Sequence, residues 1–439
     1  MAEPTLERVR TFHPSKSSYR FTILLFVSLL TYGSYFLYDG LAAIAPILIQ
    51  SFDITRAEFG AIKTIYSVAA ILCLLIGGIL IDRIGTRKSS LIFSTVIALG
   101  ACIIAVSPNI WVLYIGMFFF GAGSETLIIA QSSILARWFR GKELALAFGI
   151  ALTVSRLGSL FSFNTEALIA EFFNNYRYAL WAGLLFCLMS VLCNVVYVFL
   201  DKKGEHALGL KEEEVEEKIV FSDIAKFKPS FWFVTLICVT FYSAIFPFQH
   251  FASDFFHTKW EIPMEAGGEG GFFYQVFINI IHMFSTAPGI TAIITFASMV
   301  FAPFAGRLVD KIGRRASLMI LGSVLMIPAH LLLGITHITP IFSMIILGAA
   351  FVLVPAAMWP SVPLIVSKNR VGTAFGLMTM VQNVGLGLFP WLNGKLFDMS
   401  GNYTAGQIMF ASLGLFGLVF ALLLKRADAR EGGGLEKVE

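Results

Sequence analysis

Two opposite charges inside long apolar stretches are the residues of this sequence with the clearest chemical meaning. Glu125 lies in GAGSETLIIAQSS, and Arg156 lies in FGIALTVSRLGS. A charge at the centre of a bilayer-spanning helix costs about 2.5–3.5 kcal/mol on insertion scales, so both side chains are expected to face a bundle interior or a cavity. A guanidinium can bind an anionic group, and a carboxylate can bind a cationic group or a proton. The pair therefore predicts a site for a zwitterion; the alternative is a structural ion pair that ties two helices together.

A second acid lies inside the first apolar stretch. Asp39, in GSYFLYDGLAA, is flanked by Tyr35 and Tyr38. Its carboxylate could bind a solute amine, carry a coupling proton, or cap a local break at Gly40. We interpret Asp39 and the two tyrosines as part of the same site.

Candidates for the opposite wall of the site come from the second half of the chain. Trp359 stands in AMWPSVP, where two prolines break the helix, so it could form an aromatic wall or ordinary packing. Gln382 and Asn383 offer neutral hydrogen-bonding groups. His250 is expected to be structural or to line a gate, and Lys63 is expected to extend its ammonium group to the membrane surface.

The elements that must position these residues are membrane-spanning helices. Hydrophobic residues make up 57% of the 439-residue chain and charged residues only 14%, against about 25% charged in a soluble globular protein. About 20 apolar residues cross a bilayer as a helix. Twelve segments qualify, which we number spans 1 to 12: 21–49, 57–81, 89–107, 110–136, 143–170, 177–200, 231–256, 286–308, 315–335, 339–366, 371–396 and 404–424. The sequence predicts an all-α membrane protein.

An internal repeat divides the spans into two groups of six. The run GILIDRIGTR at 78–87 recurs as GRLVDKIGRR at 306–315. Six spans per copy make the two halves parallel, which is the arrangement of major facilitator transporters, with substrate bound near the bilayer midplane between the halves. In the repeat, Asn383 aligns with Arg156 and Val352 aligns with Glu125. The second half therefore keeps the helices without the charges, which favours a functional role for the charged pair.

The repeated loop is interpreted as a gating element and not as a substrate site. We expect its first glycine to allow close helix packing, its second glycine to form a tight turn, and its charges to hold the loop at helix ends. The predicted gating residues are Gly78, Asp82, Arg83, Gly85 and Arg87, and Gly306, Asp310, Lys311, Gly313 and Arg314.

Basic residues cluster in alternate loops, which predicts the orientation of the chain. Both termini and the long charged linker are expected to be cytoplasmic. The predicted organisation is a tail at 1–20, a six-helix bundle at 21–200, a linker at 201–230, a second bundle at 231–425 with an external loop at 257–285 containing an interfacial helix, and a tail at 426–439.

Several other classes of protein are excluded by the sequence. No phosphate loop, HExxH or GxSxG motif is present, so no enzyme activity is expected. The five cysteines lie in apolar stretches as free thiols, and neither a metal nor a cofactor is predicted. The net charge of +4 indicates membrane orientation and not nucleic-acid binding. Transport would then use the solute's own gradient or coupled protons or ions.

Several longer motifs carry a family resemblance. They are GSYFLYDGLAA (33–43), GGILIDR (77–83), GAGSETLIIAQ (121–131), WFRGKELALAFG (138–149), SRLGS (155–159), FPF (246–248), AMWPSV (357–362) and GTAFGLMTMVQNVGLGL (372–388). At these motifs the chain resembles the major facilitator superfamily, and within it the lysosomal dipeptide transporters called major facilitator superfamily domain-containing protein one and their bacterial relatives. The resemblance implies facilitated transport of dipeptides, with an acid and an arginine, here Glu125 and Arg156, at the peptide amino and carboxyl termini. The long 260–284 insertion and the lack of an obvious lysosomal sorting signal favour a bacterial inner membrane; a eukaryotic member would be lysosomal.

The sequence therefore predicts a secondary transporter that moves dipeptides by alternating access, as a uniporter or coupled to protons. One rival is a proton-coupled carrier of organic anions such as monocarboxylates, in which Arg156 binds a carboxylate and Glu125 or Asp39 carries the proton. A rival from another class is a membrane receptor or scaffold that does not transport. The partners predicted are a small zwitterionic or anionic solute, protons and the lipid bilayer; the sequence says nothing of an accessory subunit.

Overall fold

The computed structural model describes residues 14, 16–139, 143–208, 227–267, 270–367 and 370–437. Within these ranges the regular structure is entirely helical. Residues 209–226, in the predicted linker, and 1–13, in the predicted tail, lie outside the described residues. The exact domain boundaries stay predictions.

The first half contains spans 1 to 6. Its helices are Ser17–Leu29, Tyr32–Ala43 and Ala45–Phe52 in span 1, Arg56–Ala105 in spans 2 and 3, Ile110–Phe139 in span 4, Leu144–Phe172 in span 5 and Arg177–Leu208 in span 6. Span 1 is interrupted because Pro46 begins a new helix and Ile44, with φ −104° and ψ 21°, leaves the helical conformation.

The second half contains spans 7 to 12. Its helices are Pro229–Trp260 in span 7, the short helix Phe272–Ile281, the 3₁₀ turn Met283–Ser285, Ala287–Thr291 and Ile293–Ile312 in span 8, Arg315–Ile335 in span 9, Pro340–Ile365 in span 10, Val371–Ser400 in span 11 and Thr404–Glu431 in span 12. Among the described residues, 11 helices are long and apolar enough to cross a membrane. Span 8 is the exception, because its apolar part, Ala287–Ala302, is shorter than the others. The short helix Phe272–Ile281 lies in the predicted external loop, and its position at a membrane surface stays a prediction.

The two halves repeat the same packing. Span 1 packs against spans 5 and 6, and span 7 packs against spans 11 and 12. Spans 2 and 3 pack against span 4, and spans 8 and 9 pack against span 10. The twelve-span fold in two related six-helix halves is therefore confirmed.

The tight turns predicted between paired spans are present. Gly85 separates spans 2 and 3 with φ 80° and ψ 163°, and Gly313 separates spans 8 and 9 with φ 64° and ψ −122°. A side chain is strained at these angles, so glycine is the residue that fits both turns. The role of these turns in gating stays a prediction.

The two halves meet at one end of the bundle. We call the end near Arg56 and Tyr403 the loop end, and the end that carries both chain termini the tail end. At the loop end a Cβ atom on Gly60 would overlap the Pro390 carbonyl oxygen, and one on Gly394 would overlap the Arg56 carbonyl oxygen. The backbones of spans 2 and 11 are therefore in direct contact there.

The tail end is different. Among the described atoms, nothing lies within 4 Å of a Cβ added at Gly78, Gly149 or Gly306. The close helix packing that we expected of Gly78 and Gly306 is thus wrong for this conformation, because the two halves close at the loop end and leave the tail-end glycines free.

The chain after span 12 folds back on the start of span 9. The backbone amide of Arg315 donates to the Leu435 carbonyl at 2.8 Å, and the amide and hydroxyl of Ser317 donate to Glu436 at 2.9 and 2.8 Å. Burial raises the pKa of Glu436, but the Ser317 hydrogen bonds and the nearby Lys425 outweigh it and hold that pKa below its ordinary value. The contact fixes the tail end of the second half.

We expect Gly60→Val to force spans 2 and 11 apart, because over-packing a close contact costs about 1–3 kcal/mol. Spin labels at Asp53 and Met399, two exposed loop-end positions in different halves, should move to longer distances. Gly149→Val is the matched control, because its side chain meets open space and should leave that distance unchanged. An unchanged distance in Gly60→Val would contradict the close contact of the two backbones.

Candidate substrate site

Arg156 extends from span 5 into the interface between the two halves. Its guanidinium carbon lies 5.5 Å from the ring centre of Tyr35 in span 1, 5.9 Å from that of Phe246 in span 7 and 5.5 Å from that of Phe351 in span 10. The side chain is half-buried, and no carboxylate of the described residues lies within ion-pair distance of it. Aromatic faces attract a cation but leave its hydrogen-bond donors available, so Arg156 can accept an anionic ligand.

Glu125 is the negative charge of the same region. Its carboxylate accepts a hydrogen bond of 3.0 Å from the Tyr66 hydroxyl of span 2, and the side chain is half-buried. Tyr35 is within electrostatic range of Glu125, Arg156 and Asp39, so the structure brings these predicted residues together. Glu125 and Arg156 do not form an ion pair with each other, which argues against the purely structural alternative.

Asp39 and Tyr38 lie beside an unexpected cation. Lys63 is buried, with 3% of its surface exposed; its ammonium donates to the Tyr38 carbonyl at 2.8 Å and lies over the Tyr38 ring. It is also within electrostatic range of the buried Asp39. The prediction that Lys63 reaches the membrane surface is therefore wrong, because a nearby acid and an aromatic face provide a partner inside the bundle.

Of the residues predicted to form the second-half wall of the site, only some lie near Arg156. Trp359 is half-buried and donates from its indole nitrogen to the Tyr242 hydroxyl at 2.9 Å. The Tyr242 ring stacks on Phe246, which contacts Arg156, so Trp359 belongs to the aromatic surface around the arginine.

The two amides of span 11 are placed differently. Gln382 is half-buried and accepts a weak hydrogen bond from the Cys238 thiol at 3.6 Å. Asn383 is only 2% exposed and donates within its own helix to the Thr379 carbonyl at 3.1 Å. In this conformation Gln382 is the more accessible of the two.

A polar cluster joins the halves at the loop end, and the sequence analysis missed it. The Arg56 guanidinium donates to both oxygens of Asp254, at 2.6 and 3.1 Å, and to the Tyr403 hydroxyl at 3.2 Å. The backbone amides of Arg56 and Ala57 donate to the two oxygens of Asp398 at 3.0 and 2.9 Å. Span 2 is thereby tied to spans 7, 11 and 12, and we call these residues the loop-end lock.

A second contact between the halves lies one turn deeper. The His250 ring stacks on Phe59 with ring centres 4.3 Å apart, and its Nε2 lies 3.3 Å from the Phe59 carbonyl oxygen. His250 is 2% exposed. Its position between spans 7 and 2 agrees with a structural or gate-lining role.

The predicted gating residues lie away from Arg156. Arg87 forms a 2.5 Å ion pair with the fully buried Asp201 of span 6, which also binds Arg137 and Trp138 of span 4. Arg83, Lys311 and Arg314 are exposed at the tail end. The side chains of Asp82 and Asp310 lie outside the part of the chain that the structure describes, and the gating role of the whole set stays a prediction.

The comparison with known proteins identifies the class. The sequence model of the Major Facilitator Superfamily matches residues 24–282 and 271–439, and the chain belongs to that superfamily. It is a multi-pass membrane carrier and not an enzyme.

Particular relatives are similar over nearly the whole chain. The lysosomal dipeptide transporter MFSD1 of Danio rerio is 31% identical, with 96% of this chain and 90% of that protein covered. Its Homo sapiens counterpart is 30% identical, with 96% and 89% covered. The crystal structure of a bacterial homolog to the human lysosomal transporter Spinster, in an inward-facing and unoccupied conformation, is 16% identical with a TM-score of 0.72 and covers 95% of this chain and 99% of its own. This last likeness shows the fold alone.

We expect Arg56→Gln and Asp254→Asn each to favour opening of the loop end, because each variant leaves a lock partner uncompensated. Together they should show a coupling free energy of about 0.5–3 kcal/mol in a double-mutant cycle. The distance between spin labels at Asp53 and Met399 reports the populations of the closed and open states. Arg177→Gln, which changes an exposed arginine at the same end, should leave the distribution unchanged. Fully additive effects of the two lock variants would contradict the pairing.

Proposed function

We propose that this protein transports dipeptides by alternating access, with Arg156 binding the peptide carboxylate and Glu125 binding the peptide amino group. One observation carries the proposal: the two opposite charges are half-buried, lie within electrostatic range of the same tyrosine and are not paired with each other. The Danio rerio and Homo sapiens relatives described above are named as dipeptide transporters, which supports the same substrate class.

The charge balance favours a zwitterion. An ionised group in a low-dielectric site is stable only if it is paired and hydrogen-bonded. Among the described residues, Arg156 forms no ion pair and lies beside aromatic rings, and Glu125 accepts one phenolic hydrogen bond, so both retain capacity for a ligand. A dipeptide carries its two charges at opposite ends of a short chain and satisfies both groups at once.

The aromatic surface suits a variable ligand. Tyr35, Phe246 and Phe351 present aromatic rings to the arginine, and Trp359 is joined to this surface through Tyr242. Binding sites of this type fix a ligand through a small number of polar contacts and leave the rest to apolar contact. We infer that the peptide termini are recognised strictly and the side chains loosely.

The orientation of the chain follows from its charge pattern. Basic residues are concentrated at the tail end, which we assign to the cytoplasm. The loop-end lock and the contact of Gly60 with Pro390 close the opposite side, so we interpret this conformation as open to the cytoplasm. The location in a bacterial inner membrane, or a lysosomal membrane in a eukaryote, stays a prediction.

We expect Glu125→Gln and Arg156→Gln to change recognition of different ends of the peptide. A hydrogen bond to a charged group contributes about 1.5–3 kcal/mol, so the wild type should bind a free dipeptide roughly 10- to 150-fold more tightly than its N-acetylated or C-amidated form. Glu125→Gln should lose discrimination against N-acetylation only, and Arg156→Gln against C-amidation only. Both discriminations are measured by letting the N-acetylated or the C-amidated peptide compete with uptake of a labelled dipeptide in liposomes.

Glu261→Gln is the control, because it neutralises an exposed acid in the loop after span 7. Equal loss of both discriminations in each variant would contradict the assignment of one charge to each terminus. Strong competition by N-acetylated peptides and monocarboxylates, undiminished in Glu125→Gln, would favour an organic-anion carrier instead. Wild-type liposomes that show no flux of any of these solutes would favour a receptor or scaffold.

A further inference from the structure

A buried acid in span 5 plays no part in the proposed peptide site. Glu166 is 1% exposed, and neither of its carboxyl oxygens has a hydrogen-bond partner among the described residues. It lies ten residues after Arg156, roughly 15 Å along the helix axis towards the loop end. Its side chain packs against Gly40 of span 1, where an added Cβ would lie 3.0 Å from the Glu166 Oε1. The neighbouring residue in span 1 is Asp39.

The surroundings of Glu166 supply no counter-charge. The ionisable group facing it from span 6 is the Cys187 thiol, and Asp39 lies beside its contact on span 1. The part of span 8 that packs near it, Ala287–Ala302, contains no ionisable side chain, and the short helix Phe272–Ile281 contributes only the exposed Tyr274. An ionised carboxyl is costly in such a place, and the group avoids the cost by holding a proton. We therefore treat Glu166 as neutral in this conformation.

A cavity with polar lining residues lies at the loop end, near Glu166. It has a volume of about 560 Å³ and is lined by residues of both halves, including Pro46, Ile47, Glu171, His257 and Glu265. Glu171 follows Glu166 by five residues on the same helix, about 7.5 Å of rise. Burial and the nearby Glu171 raise the pKa of Glu265, so this carboxyl in the cavity binds a proton more readily than an exposed glutamate does.

We propose that Glu166 is a proton-binding site that couples transport to proton movement from the loop end to the tail end. The inference rests on the proposed transport function. When the loop end opens, Glu166 takes a proton from the loop-end cavity. Once the loop end has closed, Glu166 first keeps this proton; in the release step its O–H bond breaks and the proton passes to the Asp39 carboxylate.

Asp39 is suited to receive and release that proton. It is buried, which disfavours its anionic form, but it lies within electrostatic range of Lys63 and Arg156, two cations that offset part of that cost. From Asp39 the proton leaves to water at the tail end. The present conformation, with Glu166 sealed, then corresponds to the proton-loaded state before release.

The test uses purified full-length protein in liposomes and separates exchange from coupled accumulation. Exchange of labelled dipeptide is measured with equal pH on both sides, and accumulation is measured under an imposed pH gradient with the voltage clamped. The wild type should do both. Glu166→Gln should keep exchange within about twofold of the wild type and lose accumulation driven by the pH gradient.

Two further variants and a second readout keep the result interpretable. Glu166→Met is neutral and of similar length, and it should behave as Glu166→Gln does if the glutamine variant folds poorly. Glu261→Gln, at an exposed loop position, should retain both exchange and accumulation. A pH-sensitive dye inside the liposomes should record proton entry with dipeptide uptake in the wild type and none in the Glu166 variants.

Each contrary outcome has a distinct meaning. Accumulation driven by the pH gradient in Glu166→Gln would overturn the assignment of the proton site. Wild-type exchange without accumulation or proton entry would make the protein a uniporter, which overturns proton coupling and leaves the dipeptide function intact. Absence of dipeptide exchange in the wild type would remove the dipeptide function and, with it, this inference.

Discussion

The organisation of this protein depends on the cost of an isolated charge away from water. Each charge inside the bundle meets that cost in its own way. Among the described residues, Lys63 donates to the Tyr38 carbonyl and lies over its ring, Arg56 pairs with Asp254, and Arg156 lies beside aromatic rings without an ion pair. The first two are satisfied within the protein and hold helices together. Within the described part of the chain, Arg156 has no such ionic partner, and its incomplete pairing is the basis of the binding site that we propose at the interface between the halves.

The sequence predicted the helical spans well and singled out the two charges inside them, for physical reasons that act locally. A bilayer requires long apolar runs, so the spans could be read directly from the chain. The same environment makes Glu125 and Arg156 conspicuous because each stands alone in an apolar run. The turns at Gly85 and Gly313 were predictable from the repeated loop, since a positive φ favours glycine wherever it occurs.

The loop-end lock could not be predicted in this way. Arg56 and Asp254 are separated by 198 residues, and their meeting depends on the rotation of spans 2 and 7 about their own axes. The burial of Lys63 depends likewise on the position of Tyr38 in another helix. The prediction of close packing at Gly78 and Gly306 was wrong for another reason. The neighbours of these glycines change with the conformation of the carrier, and in the present conformation their surroundings are open. Glu166 lies inside the predicted span 5, but its burial depends on the packing of Gly40 in span 1 against it, which the sequence alone does not show.

The carboxylate of Asp398 has a further consequence, since it caps a helix that belongs to the other half. Two first-turn amides of span 2 are covered by this cap, while the side chain of Thr55 accepts from the Glu58 amide and Glu58 accepts from the Thr55 amide. Separation of the halves therefore exposes two amides to water without unravelling the helix, because the reciprocal cap within span 2 remains. The amide hydrogens of residues 56 and 57 thus exchange with solvent at rates set by the opening of the carrier and not by the stability of span 2. Hydrogen exchange at these two amides therefore reports the opening of the loop end, which is part of the motion that carries a solute across the membrane.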